Sequence, residues 1–171
     1  MLAANRSNTH GAILFLDLDN FKALNDTRGH DAGDQLLIEV ARRLCTEMRI
    51  GDILGRLGGD EFVVIVGNLS QDDEEAALFA KKIAEKLLVA LALPYTFENF
   101  EYHCSTSIGI RLFKDQDNAD ELLRHADMAM YEAKNAGRNT LCFFDPVMES
   151  IIGLAGAFEQ KLTVSGHFVY P

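Results

Sequence analysis

ILGRLGGDEFVVIV, residues 53–66, consists of two short apolar runs, 53–57 and 62–66, separated by Gly58, Gly59, Asp60 and Glu61. Paired glycines between strands signal a hairpin, because a tight primed turn needs positive φ. Upstream, residues 12–18 form an apolar run broken by Asp17, which reads as a buried strand ending in acid. Residues 21–25 suggest a short helix stopped near Gly29. Asp31 is a plausible N-cap for a second helix, with Leu36, Leu37, Val40, Ala41, Leu44 and Met48 at helical spacing and Gly51 ending it. Downstream, residues 72–91 read as a long helix with Ala76, Phe79, Ala80, Ile83, Leu87 and Leu91 on one face, and Pro94 interrupts the chain just beyond it.

Residues 100–111 alternate with period two. Phe100, Tyr102, Cys104, Thr106, Ile108 and Ile110 fall on one face, and Glu101, His103, Ser105, Ser107 and Arg111 on the other. Residues 119–135 read as a further helix closed by Gly137, and 140–144 as a last strand stopped at Pro146. The order β-α-α-β-β-α-β-α-β around a central hairpin predicts an α/β (α+β) domain, a mixed sheet with helices packed on it.

The chain has 171 residues, enough for one domain with a real core. Its 48% hydrophobic and 25% charged residues are ordinary for a globular protein. The net charge of −10 argues against a general nucleic-acid surface, which needs clustered positive charge. A phosphorylated substrate remains compatible if metal ions and a few local bases offset the field. No apolar run reaches the roughly 20 residues of a membrane helix, and residues 1–10 lack the core of a signal peptide. A cytoplasmic location is expected, either alone or as the cytoplasmic part of a longer, membrane-anchored protein. Cys45, Cys104 and Cys142 are widely spaced without a CxxC, so they read as small buried apolar residues in a reducing compartment.

Two acidic clusters carry the chemistry: Asp17 and Asp19 at the end of the first strand, Asp60 and Glu61 at the hairpin tip. A sheet that sets the first strand beside the hairpin makes them converge. Buried carboxylates are costly, so several together want a cation, and hard oxygen ligands select Mg²⁺ or Mn²⁺. Asp19 alone reads as a solvated turn residue. On residue type, Asn25 reads as a turn residue and Asp34 as a helix-start acid. Lys134 and Arg138 share a face at a helix C-terminus, where cations are favoured anyway.

Asp17-Leu-Asp-Asn-Phe-Lys-Ala-Leu-Asn25-Asp, Gly29-His30, Gly33-Asp34, Gly58-Gly-Asp-Glu-Phe62, and then Lys134 and Arg138 resemble, in order, the motifs of GGDEF diguanylate cyclases. The resemblance covers roughly residues 12–146. It implies a nucleotide-cyclase and polymerase-palm-like fold with a ferredoxin-like core, and an enzyme that condenses two GTP into cyclic di-GMP with release of pyrophosphate. It implies Asp17, Asp60 and the Leu18 carbonyl as ligands of Mg²⁺ or Mn²⁺, with Glu61 aiding the metal or the reacting hydroxyl. Phe21 and Lys22 would wrap the phosphates, Lys134 and Arg138 would bind the triphosphate, and Asn25 with Asp34 would read guanine. A carboxylate can accept from both guanine N1–H and the 2-amino group, a pair that adenine lacks. Gly58 and Gly59 would let the backbone approach the nucleotide, Phe62 would pack in the core, and His30 would be structural. The other histidines, His10, His103, His125 and His167, show no metal-ligand spacing and read as surface or satisfied residues.

Arg49-Ile-Gly-Asp52 resembles the family's RxxD inhibitory motif at the usual offset before Gly58, which implies product inhibition by cyclic di-GMP. Catalysis would require a homodimer, because each copy supplies half of the reacting pair. The family's opening helix and DxLTGLxNR stretch are absent before residue 12, so 1–146 is expected to be an N-terminally truncated GGDEF domain. Residues 147–171 are expected to be a tail or a linker, and Phe158-Glu-Gln-Lys161 faintly resembles the approach to an EAL domain. Two other functions stay open. A non-catalytic module sensing GTP or cyclic di-GMP could lose its metal ligands without penalty. An unrelated two-metal phosphoryl-transfer enzyme would keep Asp17 and Asp60 but need not keep Asn25 and Asp34.

Overall fold

The computed structural model describes residues 8–147. The expected tail and the linker-like segment at 158–161 lie outside the described residues. The elements run β1 (Gly11–Leu18), α1 (Phe21–Arg28), α2 (His30–Glu47), β2 (Ile53–Gly58), β3 (Glu61–Val66), α3 (Asp73–Ala92), β4 (Tyr95–Phe97), β5 (Phe100–Tyr102), β6 (Thr106–Phe113), α4 (Ala119–Asn135) and β7 (Leu141–Phe143). The main sheet has the order β2-β3-β1-β6-β7, antiparallel except for β6 and β7. That parallel pair needs a crossover, and α4 supplies it.

β1 is the central strand, and every one of its residues is buried, because helices cover both of its faces. Ala12, Leu14, Leu16 and Leu18 point into the larger core with Leu36, Val40 and Leu44 of α2 and Ala76, Ala80, Ala84 and Leu87 of α3. Ile13 and Phe15 point the other way, with Val63, onto Leu122, Ala126 and Met130 of α4. Strand alternation therefore sends Asp17, the next odd position, to the α4 side.

Small residues set the closest approaches. A Cβ on Gly109 of β6 would lie 2.0 Å from the Ala126 carbonyl oxygen and 2.2 Å from the Met130 nitrogen, so α4 rests its backbone directly on the sheet. α3 is capped by Asp72, whose side chain accepts from Glu75 N–H at 2.8 Å. At its other end Arg43 of α2 donates to the carbonyls of Ala90, Leu93 and Pro94 at 3.1, 2.6 and 2.7 Å. The same guanidinium lies 3.8 Å over the Tyr95 ring. These bonds satisfy carbonyls near the C-terminus of α3 that have no partner within the helix.

Several sequence expectations need correction. Residues 100–111 are not one strand: the chain leaves β-structure at 103–105 between β5 and β6, and β5 instead pairs with β4 as a separate hairpin after Pro94. The apolar face is nevertheless shared, since Phe100, Tyr102, Cys104, Ile108 and Ile110 all pack on the larger core. On α3 the buried stripe is rotated toward Ala77 and Ala84, leaving Phe79 40% exposed. α2 begins at His30 with Gly29 as its N-cap, and Asp31 lies in the first turn without capping. Of the cysteines only Cys104 is buried; Cys45 is exposed and Cys142 intermediate, because Cys45 sits on the solvent side of α2, next to buried Leu44.

Candidate active site at the end of β1

Two antiparallel strands and a two-residue turn bring the expected acids together. Asp17 on β1 is in register with Glu61 on β3, and Leu18 N–H donates to the Asp60 carbonyl at 3.3 Å. Gly58 and Glu61 close the β2–β3 pair just past a bulge, and Gly59, at φ 51, takes the left-handed position of the turn. Sequence reading gave no role to Arg56, yet its Nε donates to the Gly59 carbonyl at 2.9 Å and braces the turn that carries Asp60.

Asp17 is 7% exposed. Burial pushes its carboxyl up to about 6, Asp60 and Glu61 push in the same direction, and Lys134 opposes them. Lys134 Nζ stands 2.6 Å from Asp17 Oδ1. Among the described residues no three His, Cys, Asp or Glu side chains form a metal-holding group by themselves. Mg²⁺ does not require such a cage, since it is commonly held by one or two carboxylates, waters and substrate phosphates. A buried, electrostatically frustrated Asp17 next to Asp60, with hard oxygen donors throughout, fits that kind of cation. The Leu18 side chain is buried in the core at 2% exposure, so Leu18 has only its backbone to offer the site.

The other expected residues lie on α1, α2 and the end of α4. Phe21 starts α1 and is buried, while Lys22 beside it is exposed; the preceding Asn20 is left-handed at φ 59. Asn25 of α1 packs across Gly33 of α2, where any Cβ would fall 1.9 Å from Asn25 Oδ1. That oxygen is buried without a hydrogen-bond partner. Asp34 is exposed and lines a groove with Leu37, Leu54, Arg56 and Phe62. Phe62 itself is core, at 2% exposure.

Lys134 and Arg138 flank the end of α4. Gly137 N–H donates to the Lys134 carbonyl at 3.2 Å and Arg138 N–H to the Ala133 carbonyl at 3.2 Å, a Schellman closure with left-handed Gly137 at φ 114. Arg138 is exposed.

Arg49 and Asp52 lie apart from this centre, at the opposite end of β2 from the turn. Asp52 Oδ2 accepts from Arg49 N–H at 2.9 Å, and Arg49 Nε lies 3.6 Å away. The Asp52 side chain is 7% exposed and that of Arg49 57%.

Asp19 departs from expectation. It is not a solvated turn residue: it is 3% exposed and accepts from Ser105 Oγ at 2.6 Å, Ser107 Oγ at 2.7 Å and Asn139 N–H at 3.1 Å. Cys104 lies close by, with Sγ 3.7 Å from the Asp19 carbonyl. Burial first, then the charges of Asp19, Asp60 and Asp17, push its thiol up to about 12, which leaves it protonated and unreactive. Of the histidines, buried His10 is satisfied, bonding the Ser70 carbonyl at 2.9 Å and Asp73 at 2.8 Å. His125, stacked on Phe144, departs from expectation because its buried Nδ1 has no hydrogen-bond partner, and His167 lies outside the described residues.

A five-stranded sheet of this order, with carboxylates on its central strand facing a hairpin tip, defines a nucleotide-cyclase and polymerase-palm type of domain. The family model for "Diguanylate cyclase, GGDEF domain" matches residues 1–140. The bifunctional diguanylate cyclase/cyclic di-GMP phosphodiesterase MucR of Pseudomonas aeruginosa is 45% identical over 86% of this chain. The cyclic di-GMP phosphodiesterase PdeR of Escherichia coli is 40% identical over 82%. The match spans 21% of the length of each of these two relatives. Among solved structures, the GGDEF domain of YfiN (TpbB) from Pseudomonas aeruginosa is 36% identical, with a TM-score of 0.74 over 82% of this chain and 85% of that one. The chain belongs to the GGDEF domain family. No helix among the described residues is long and apolar enough to cross a membrane.

Proposed function

We propose that this domain is a diguanylate cyclase: the 3′-hydroxyl of one GTP attacks the α-phosphorus of another, a P–O bond forms, the α–β anhydride breaks and pyrophosphate leaves. Two such steps give cyclic di-GMP. The observation that carries this reading is the convergence of Asp17, Asp60 and Glu61, from separate parts of the chain, with Lys134 already seated on Asp17. Asp17, Asp60 and the Leu18 carbonyl would hold Mg²⁺ or Mn²⁺. When bound, such ions neutralise phosphate charge and align an in-line displacement. Glu61 serves the metal or the reacting hydroxyl. Phe21 and Lys22 at the start of α1, with Lys134 of α4 and Arg138 of the turn after it, take the phosphates, and Gly58 and Gly59 admit the nucleotide close to the hairpin turn. Asn25 and Asp34 take the guanine edge. Each domain presents one GTP, so two copies meet as a homodimer at the moment of reaction.

Product inhibition through Arg49 and Asp52 belongs to the same proposal. Their mutual ion pair would have to open for both to engage cyclic di-GMP. A cytoplasmic setting follows from GTP as substrate.

The test is to incubate the purified domain with GTP and Mg²⁺ and to chromatograph the products. Cyclic di-GMP is expected from the native chain and none above background from Asp60→Ala. Binding of GTP or cyclic di-GMP without turnover would favour the second reading, a regulatory nucleotide-binding module. That reading draws its support from PdeR, a matched relative named as a phosphodiesterase.

A smaller substitution tests the guanine pocket. Gly33→Ala places a methyl group where Asn25 Oδ1 now lies. Asn25 must swing away, while alanine favours the helix by about 1 kcal/mol over glycine. The expected result is a melting temperature unchanged or raised, with GTP affinity lowered about tenfold, the loss of about one good hydrogen bond. Full GTP affinity in Gly33→Ala would remove Asn25 from the pocket.

A further inference from the structure

The loop that carries Arg138 is in a conformation that arginine does not favour. After Gly137, both Arg138 and Asn139 are left-handed, at φ 65 and φ 47, and neither is glycine. Two successive residues of this kind persist only where the surroundings hold them. The backbone bonds from Arg138 N–H to Ala133 and from Ile108 N–H to Thr140 anchor the two ends of the turn, and the side-chain hold on its middle is Asp19, buried at the end of β1, whose Oδ2 accepts the Asn139 N–H at 3.1 Å. Oδ2 also accepts from Ser105 Oγ, and Oδ1 accepts from Ser107 Oγ. Ser105 and Ser107 flank the start of β6, and Ser107 is in register with Asp17 and fully buried. The Asp19 carboxylate thus ties three chain segments together: the β1 end that carries Asp17, the start of β6, and the turn after α4. Its own backbone N–H is fixed as well, donating to the Ser105 carbonyl at 2.9 Å.

We infer that Asp19 is a positioning residue for the triphosphate half of the site: through its bond to Asn139 it fixes the strained turn and thereby aims Arg138. This rests on the cyclase reading, in which Arg138 meets the phosphates. A buried carboxyl group suits the task because its oxygens can accept from several donors at once. Asp19 does not touch substrate. Its neighbour two residues earlier, Asp17, is turned toward Lys134 instead.

The test is a double-mutant cycle between Asp19→Ala and Arg138→Ala, read by titration calorimetry with Mg²⁺ and 3′-deoxy-GTP, which lacks the attacking hydroxyl, and with GMP as the ligand without the β and γ phosphates. Asp19→Ala is expected to weaken 3′-deoxy-GTP binding about tenfold and GMP binding less than twofold. It should weaken 3′-deoxy-GTP binding no further when Arg138 is already alanine. Asp19→Asn keeps the shape and one acceptor oxygen and is expected to restore most of the affinity. Where Asp19→Ala does not fold, the Ser105→Ala, Ser107→Ala double variant replaces it in the same cycle, because it loosens the carboxylate while leaving it in place.

Equal loss for both ligands, or effects of Asp19 and Arg138 that simply add, would overturn the role of Asp19 while leaving the cyclase reading intact. An Arg138→Ala chain that binds 3′-deoxy-GTP as well as the native one would overturn the phosphate assignment itself, and the role of Asp19 with it.

Discussion

Alanine at position 109 is expected to destabilise the domain by about 3 kcal/mol, the upper end of what overpacking a tight core usually costs. Gly109 lies in the middle of β6, paired with Phe15 on one side and Cys142 on the other. Its missing side chain is filled by backbone atoms of α4, the Ala126 carbonyl at 2.0 Å and the Met130 nitrogen at 2.2 Å from an ideal Cβ. Backbone cannot rotate away as a side-chain tip can, so the whole helix must lift by about the difference from an ordinary contact. The strand cannot yield either, because it is hydrogen-bonded on both edges. Lifting α4 also carries Lys134 away from Asp17 and moves the turn that holds Arg138. Urea unfolding gives the stability directly, and a midpoint shift equivalent to less than about 1 kcal/mol would mean that α4 seats more loosely than described.

Asp17→Asn is expected to make the ligand-free domain more stable at neutral pH and to abolish cyclic di-GMP synthesis. The folded protein holds the Asp17 proton up to about pH 6, against an ordinary 3.8. Between about pH 4 and 6 the folded state therefore binds a proton that the unfolded chain has released. Stability falls as pH rises through that window and stays lower above it. The deficit is on the order of 3 kcal/mol at most, at 1.36 kcal/mol per pKa unit. Asparagine resembles the protonated acid and avoids that deficit, so its advantage should be full at pH 8 and vanish near pH 4. Melting curves across that range measure it. An asparagine variant no more stable than the native chain at pH 8 would show that Lys134 fully compensates Asp17. The native acid is then kept at a cost in stability, as expected for a group whose charge is completed by something bound.

Much of this was legible along the chain, because it depends on local pattern. Asp17 ends an apolar run, Asp60 follows two glycines, α2 shows its face by spacing, and α4 shows its bounds by its closing glycine. What was not legible depends on distant partners. Asp19 looked like a turn residue because Ser105, Ser107 and Asn139 lie 86, 88 and 120 positions away, and no local signal marks them. The β4–β5 hairpin was missed because three-residue strands are too short to show a period, and the alternation of residues 100–111 hid the break at 103–105. The rotation of α3 followed from its alanines: a helix with that many small residues can sit close to the sheet on whichever side they lie, and Phe79 was passed over for Ala77 and Ala84.

The sheet separates the helices that carry the proposed site. α1 and α2, with Asn25 and Asp34, lie on one side of β1, and α4, with Lys134 and the approach to Arg138, on the other. A bound nucleotide would straddle the sheet's rim, its base against one layer and its phosphates against the other. Changes in one layer can then alter which base is accepted while leaving the grip on the phosphates alone, and the reverse, so the two properties can drift independently among chains that share this architecture.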